Sequence, residues 1–292
     1  MIILILIVLG LILGSFVNAV VYRLHIQTRQ RKANSSKLKA AKHLSSTKRA
    51  NKYSIISGRS MCTHCHHELH AIDLVPVFSW LTLGGKCRYC HKSISAQYPV
   101  VEILTAALFV ISYLYWPTNL GTTIFSQSSS IFYFWLIFLI GLVALNVYDI
   151  KWFLLPNKIM YPLLGLALIQ SLVLVVSKGG GTHEIWQIVL SFAIGGGLFY
   201  LLFQVSGGKW IGGGDVKLGW LLGLILAVPS LTLLMIFAAS LLGTFVSLPL
   251  MVTKKISRTT HIPFGPFLIA GTIISRLFGA AIINWYRSKL LL

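Results

Sequence analysis

Residues 131–149 read IFYFWLIFLIGLVALNVYD, an aliphatic and aromatic run interrupted only by Gly141 and Asn146 and closed by an aspartate. As a helix, a run of about 20 apolar residues crosses the hydrocarbon core of a bilayer. A carboxylate near hydrocarbon costs roughly 2.5–3.5 kcal/mol on insertion scales, so Asp149 needs a reason to be there. The chain holds only six acidic residues among 292. A second one, Asp215, lies in GGGDVK just before another apolar stretch. Two aspartates at the ends of different hydrophobic spans suggest a carboxylate pair built at a membrane.

The rest of the composition agrees. The chain is 56% hydrophobic and 11% charged, where a soluble domain carries about a quarter charged residues. The expected fold is therefore an all-α, polytopic membrane helical bundle of about eight spans, near 2–21, 100–116, 131–149, 159–177, 185–205, 218–229, 230–252 and 264–284. The net charge of +19 would suggest nucleic acid if it were spread over the chain. Instead 14 of the 25 Lys and Arg fall between Arg23 and Lys92. Most others sit in short loops, at Lys151 and Lys158, Lys209 and Lys217, and Lys254, Lys255 and Arg258. That clustering follows the positive-inside rule for cytoplasmic loops and argues against a nucleic-acid partner. It puts the amino terminus outside and both aspartates on the cytoplasmic side, with Arg287 and Lys289 as the misfit. The sixth span is short, a half-helix or a helix broken at Pro229, and losing it would invert the C-terminal tail. No basic segment precedes the first span, which reads as a retained anchor rather than a cleaved signal.

The expected organisation is a first span at 1–21, a cytoplasmic segment at 22–99, and a membrane domain at 100–292. Ten basic residues and no acidic one lie from Arg23 to Lys52. That stretch lacks the apolar residues for a core and reads as a basic loop attracted to anionic lipid headgroups, or to an acidic partner. The segment after it carries the four cysteines of the chain, as Cys62-x-x-Cys65 and Cys87-x-x-Cys90. Two such knuckles suit a tetrahedral structural zinc, and so small a loop gains much of its folding energy from a metal. Disulfides are the alternative, disfavoured by a cytoplasmic placement. Nearby histidines, His64, His66, His67, His70 and His91, are competing ligands or simply solvated. Glu68 and Asp73 are expected to hold charge pairs within this segment.

Two carboxyls meeting at one depth can share a proton, one acting as base toward water and the other as acid, with titrations that belong to the pair. That is the chemistry of aspartic peptidases. Gly212, Gly213 and Gly214 leave the backbone beside Asp215 open to a substrate strand. The bland alternative is that each aspartate caps a helix or pairs with Lys151 or Lys217. Glu102 and Glu184 are weaker candidates.

Five segments, in order, resemble the prepilin peptidases (type IV leader peptidases). They are GSFVNAVVYRL with Gly14, Ser15, Phe16, Asn18 and Arg23; the cysteine segment from Cys62 to Glu102 with SWL, CRYC and YPVVE; Asp149-x6-Pro156-Asn157; Gly212-x-Gly214-Asp215-x-Lys217; and IPFGPFLIAG at 262–271. The resemblance covers nearly the whole chain. It implies a bacterial cell-membrane endopeptidase in which Asp149 and Asp215 cleave, at the cytoplasmic face, after a glycine that ends the short basic leader of a pilin-like precursor. It also implies methylation of the new amino terminus from S-adenosylmethionine, although no strand–Gly-rich-turn–helix signature for that cofactor is present and its binding residues are unassigned. The chain departs from the family in the long basic insert at about residues 25–58. A transporter using the aspartates as ion ligands, or another G-x-G-D membrane protease, explains the aspartates but not the cysteine segment.

Overall fold

The structure, a computed structural model, describes residues 1–38, 58–118, 120, 127–253 and 262–290; of residues 31–38 and 290 it describes the backbone alone. The residues form two compact units, 1–111 and 112–292. The basic tract from 39 to 57 and the loop bearing Lys254, Lys255 and Arg258 lie outside the described residues.

The first unit holds α1 (Ile2–Leu38), a 3-10 turn at Ala71–Leu74, the short α2 (Phe78–Thr82) and most of α3 (Gln97–Leu114). Gly10 and Gly14 face α3 one helical turn apart. A Cβ on them would stand 2.5 Å from the Ala106 Cα and 2.7 Å from the Glu102 Cα. This is the small-xxx-small contact by which membrane helices approach closely. Beyond it, Asn18 donates to the Tyr98 carbonyl at 3.1 Å and accepts from Gln97 at 3.3 Å, and Arg23 donates to the Gly58 carbonyl at 2.8 Å. Gly14, Asn18 and Arg23 of the first motif thus fasten α1 to the rest of this unit. The helix runs on through Leu38, where the sequence suggested a loop from residue 22. The tract holds three Arg, two Lys, two Gln and two Leu, good helix formers, and extending a helix that already exists costs no new nucleus.

The second unit contains α4 (Gln127–Trp152), α5 (Asn157–Ser177), α6 (Thr182–Phe192) continuing through a π-helical turn (Ala193–Gly197) into α7 (Leu198–Ser206), then α8 (Gly213–Leu226), α9 (Pro229–Val252) and α10 (Gly265–Leu290). Seven helices among the described residues are long and apolar enough to cross a membrane, counting α6–α7 as one. The expected sixth span is the exception. Helix α8 has 14 residues, about 21 Å at 1.5 Å per residue, against ~30 Å of hydrocarbon. It is a half-helix, ended by left-handed Ala227 with Pro229 opening α9.

A short helix that is apolar all round has to be buried. Val216, Leu218, Leu221 and Leu224, which point to different sides of α8, are indeed all buried. Its glycines set the packing distance: a Cβ on Gly223 would lie 2.5 Å from the Ser191 carbonyl oxygen, and one on Gly195 of the π turn 2.5 Å from that of Gly219. A buried helix end also leaves carbonyls without partners. Here the Ser191 hydroxyl donates to the Gly223 carbonyl at 2.8 Å and Gln170 to that of Ile225 at 3.1 Å.

Gly223→Val should therefore destabilise the protein by about 1–3 kcal/mol or more through overpacking, whereas Gly197→Ala, with open space at its Cβ position, should leave stability unchanged or slightly raised. Thermal unfolding of the two variants in one detergent reads the difference.

Candidate active site and metal site

Asp149 occupies the last turn of α4 and is buried. Just after it the chain turns through Phe153, whose φ of 53° is unusual for a bulky residue. The Phe153 N–H returns to the Asp149 carbonyl at 2.8 Å. Pro156 then caps α5, which starts at Asn157. The intervening Leu155 packs on the glycine turn, 3.3 Å from where a Cβ on Gly214 would be. Asn157 accepts a hydrogen bond from the Lys217 ammonium at 3.1 Å. Two motifs far apart in the chain, D-x6-PN and GGGDVK, are thereby held against one another.

Asp215 sits at the third position of α8, whose N-cap is Gly212. Its carboxyl bonds back to the Gly212 backbone, which is half of a capping box and suits the positive end of the helix dipole. Part of the bland reading therefore holds. Yet Asp215 also lies within electrostatic reach of Asp149, which capping does not require. Among the described residues neither aspartate joins an ion pair, and Lys217 turns to Asn157 and to the face of Tyr161 instead.

The residue that the sequence left without a role is Gly265, in the PFGP segment. It starts α10, and its backbone bonds to the Asp149 carboxyl. A Cβ there would stand 2.5 Å from Asp149 Oδ2. That oxygen is buried with no hydrogen-bond partner among the described residues. The site thus takes one residue from each of three helix ends: Asp149, Asp215 and Gly265.

In the first unit the sulfurs of Cys62, Cys65, Cys87 and Cys90 lie within 4.8 Å of one another, unbridged by disulfides. The Cys62 and Cys90 sulfurs are 3.8 Å apart, the edge of a tetrahedron with metal–sulfur bonds of about 2.3 Å. Four thiolates can hold a metal ion here; the histidines are not part of the cluster. The knuckles also repeat each other, which the sequence had not suggested. Cys62 and Cys87 accept from His66 and His91 N–H at 3.1 and 2.9 Å, and they donate to the His67 and Lys92 carbonyls at 3.0 and 2.9 Å. His66 and His91 both have φ of 56°.

The acidic residues of this segment hold the expected charge pairs. Arg59 meets Glu68 at 3.1 Å and Arg88 meets Asp73 at 2.7 Å. Burial works against ionised Asp73, but hydrogen bonds from Arg88, Tyr89 and the His70 N–H outweigh it and hold the carboxyl below its ordinary range. Glu102 is a structural tie as well: its Oε2 accepts the Val77 N–H at 2.7 Å where Val77 has φ of 60°.

The sequence is similar to known proteins. The Bacterial Peptidase A24 N-terminal domain matches residues 8–116, with all four cysteines, and the Type IV leader peptidase family matches 136–248, with both aspartates. The prepilin leader peptidase/N-methyltransferase of Aeromonas salmonicida is 30% identical over 290 residues, covering 97% of this chain and 92% of that protein. The chain belongs to the type IV leader peptidase family. Other relatives of the same name come from Pectobacterium carotovorum, 33% identical over 284 residues with 92% and 91% covered, and Pseudomonas aeruginosa, 31% over 281 with 96% and 91% covered. No solved structure matches.

In this leader peptidase relative, Asp73→Ala removes the acceptor that joins the 3-10 turn to Arg88 and Tyr89 of the second knuckle. Limited proteolysis should then cut between residues 58 and 96 sooner than in wild type, with the membrane helices cleaved no faster.

Proposed function

We propose that this chain is a membrane aspartyl endopeptidase that removes the basic leader of pilin-like precursors after a glycine, and that Asp149 and Asp215 are its catalytic pair. The observation that carries this reading is the approach of two carboxyls from separate helix ends to within electrostatic reach of each other, neither in an ion pair among the described residues, one with a buried oxygen lacking a partner. Between them the pair holds one proton. The ionised carboxyl takes a proton from water as the water oxygen adds to the scissile carbonyl carbon. The protonated carboxyl then gives its proton to the leaving nitrogen as the C–N bond breaks. The Gly265 backbone steadies the Asp149 carboxyl, and Gly212 that of Asp215, so both groups are oriented before substrate arrives. The basic loops favour a site at the cytoplasmic face of the bacterial membrane, where a short basic leader would remain.

The rest of the reading assigns the accessory parts. Four thiolates at tetrahedral spacing suit zinc, which would hold the two knuckles of the cytoplasmic segment (residues 22–99) together, while residues 100–292 carry the peptidase. The basic insert at about 25–58 would lie against anionic lipid rather than bind a basic leader. Methylation of the new amino terminus rests on family membership and on the relatives' names. S-adenosylmethionine would supply a methyl group from its sulfonium to that amine. The first unit has a cavity of about 150 Å³ lined by Tyr22, Trp80, Tyr98 and Glu102, smaller than the ~300 Å³ lower bound of small-molecule pockets. Its Glu102 and Asn18 are engaged internally, so it does not fit the whole cofactor.

Membranes bearing wild type should release the leader of a prepilin-like substrate after its glycine, as read by mass spectrometry, and Asp149→Asn and Asp215→Asn should abolish release. Cleavage surviving either change would refute the pair. Gly265→Ala should slow cleavage by roughly tenfold or more, since the added methyl displaces a catalytic oxygen. Metal analysis should find one zinc per chain, lost in Cys62→Ser with Cys87→Ser.

A further inference from the structure

The end of α8 remote from Asp215 opens on a cavity of about 310 Å³. Its walls come from residues 116–118, the start of α4, the α5–α6 connection and the α8–α9 connection, and Arg276 of α10 lines it. Arg276 stands 11 residues beyond Gly265, about 16 Å along the helix. Its guanidinium lies over the ring of Trp116, 4.7 Å from the centroid. The Arg276 Nε and the Trp116 Nε1 are both buried and without a hydrogen-bond partner, and Arg276 forms no ion pair among the described residues. Both groups are donors only. A cation kept inside a membrane domain with donors unmade is costly and points to something that satisfies it.

The other polar groups around the cavity do not do so. Thr118 and Ser128 bond each other at 2.6 Å, and Gln187 bonds His183 at 2.8 Å. Glu184 folds back on the first turn of its own helix, its Oε2 2.6 Å from where a Cβ on Gly181 would be. The C-terminal end of α8 contributes partial negative charge, but its Gly223 and Ile225 carbonyls are taken by Ser191 and Gln170. Lys178 adds a second cation to the wall, while Leu174, Ile188 and Val228 make it partly apolar.

What remains unsatisfied is the Arg276 Nε and the Trp116 N–H, with Lys178 as a second cation on the wall against the one carboxylate of Glu184, and this calls for an anion with several acceptor oxygens. We propose that this cavity binds a phosphate oxyanion presented by an anionic phospholipid. The lipid source follows from the surroundings. Ile185, Trp186 and Val189 on α6, flanking the lining residues Gln187 and Ile188, are 47%, 69% and 47% exposed. A headgroup can thus enter from an apolar surface, with its chains outside.

The full-length protein in non-ionic detergent, titrated with phosphatidylglycerol, phosphatidylcholine or inorganic phosphate, tests this by native mass spectrometry and thermal unfolding. Phosphatidylglycerol should be retained at one per chain and raise the unfolding midpoint. Phosphatidylcholine, which brings its own cation toward Arg276 and Lys178, should do neither. Arg276→Gln should weaken retention by roughly tenfold or more, with leader cleavage intact. Trp116→Phe and Lys178→Gln should weaken it by smaller factors, and they carry the test if Arg276→Gln fails to fold. Unchanged retention in the variants, or equal retention of phosphatidylcholine, would overturn the site. Stabilisation by inorganic phosphate matching that by lipid would overturn the lipid source and make the ligand a soluble oxyanion.

Discussion

The contact between the Asp149 carboxyl and the first residue of α10 is the constraint around which the second unit is arranged. A carboxyl buried at the end of a membrane helix needs a donor that brings no bulk and no compensating charge. A backbone N–H at a helix start meets both conditions, because that N–H has no partner within its own helix. The approach is possible only where the residue has no Cβ, since one would lie 2.5 Å from the carboxylate oxygen. A lysine partner would have answered the same burial cost, but it would hold the carboxyl ionised and occupied. The backbone donor leaves the second oxygen free for a proton or a water.

The same economy recurs at Asp215, which bonds to the peptide of its own N-cap. Lys217, the nearest cation in sequence, is drawn away by Asn157 at 3.1 Å. The Pro156–Asn157 element therefore has two effects: it restarts the chain after α4, and it keeps a positive charge off the carboxyl pair. The knuckle segment works by different means, since Ile72, Phe78 and Leu81 stay exposed and, of its apolar side chains, Cys62 and Cys87 are the ones buried. Four clustered thiols and the Asp73–Arg88–Tyr89 hydrogen bonds stand in for a core.

Much of this was legible in the sequence, for identifiable reasons. Asp149, Asp215 and the four cysteines are residue types that apolar or small segments seldom hold, so their presence carried information. Long apolar runs marked seven helices correctly. The half-helix α8 was harder, because hydropathy cannot tell a short buried helix from a clipped span; the packing of Gly219 and Gly223 against the π turn decides it. The helical run of residues 22–38 was missed because charge was read as disorder, although about half of the tract is Arg, Lys, Gln and Leu, good helix formers. Gly265 escaped notice since its role lies in what it lacks. Arg276 was absorbed into an apolar span, where one cation hardly alters the average.

Helix α8 links these observations. Its axis carries a dipole, positive at the end where Asp215 sits and negative at the end where the cavity lies. In water such ends are solvated; in this unit they are enclosed, so each must be matched by protein groups or by ligand. The Asp215 end is matched by a carboxyl that the proposed chemistry also uses. At the other end two carbonyls are met by neutral donors, Ser191 and Gln170, and two cations stand further out, around the cavity. Had Arg276 been kept only to balance the dipole, its N–H groups would be expected on those carbonyls. They are not, and neutral side chains hold those positions instead. The guanidinium is left on the Trp116 ring beside the cavity, without an ion-pair partner among the described residues, an arrangement that a dipole alone does not explain and that an incoming anion does.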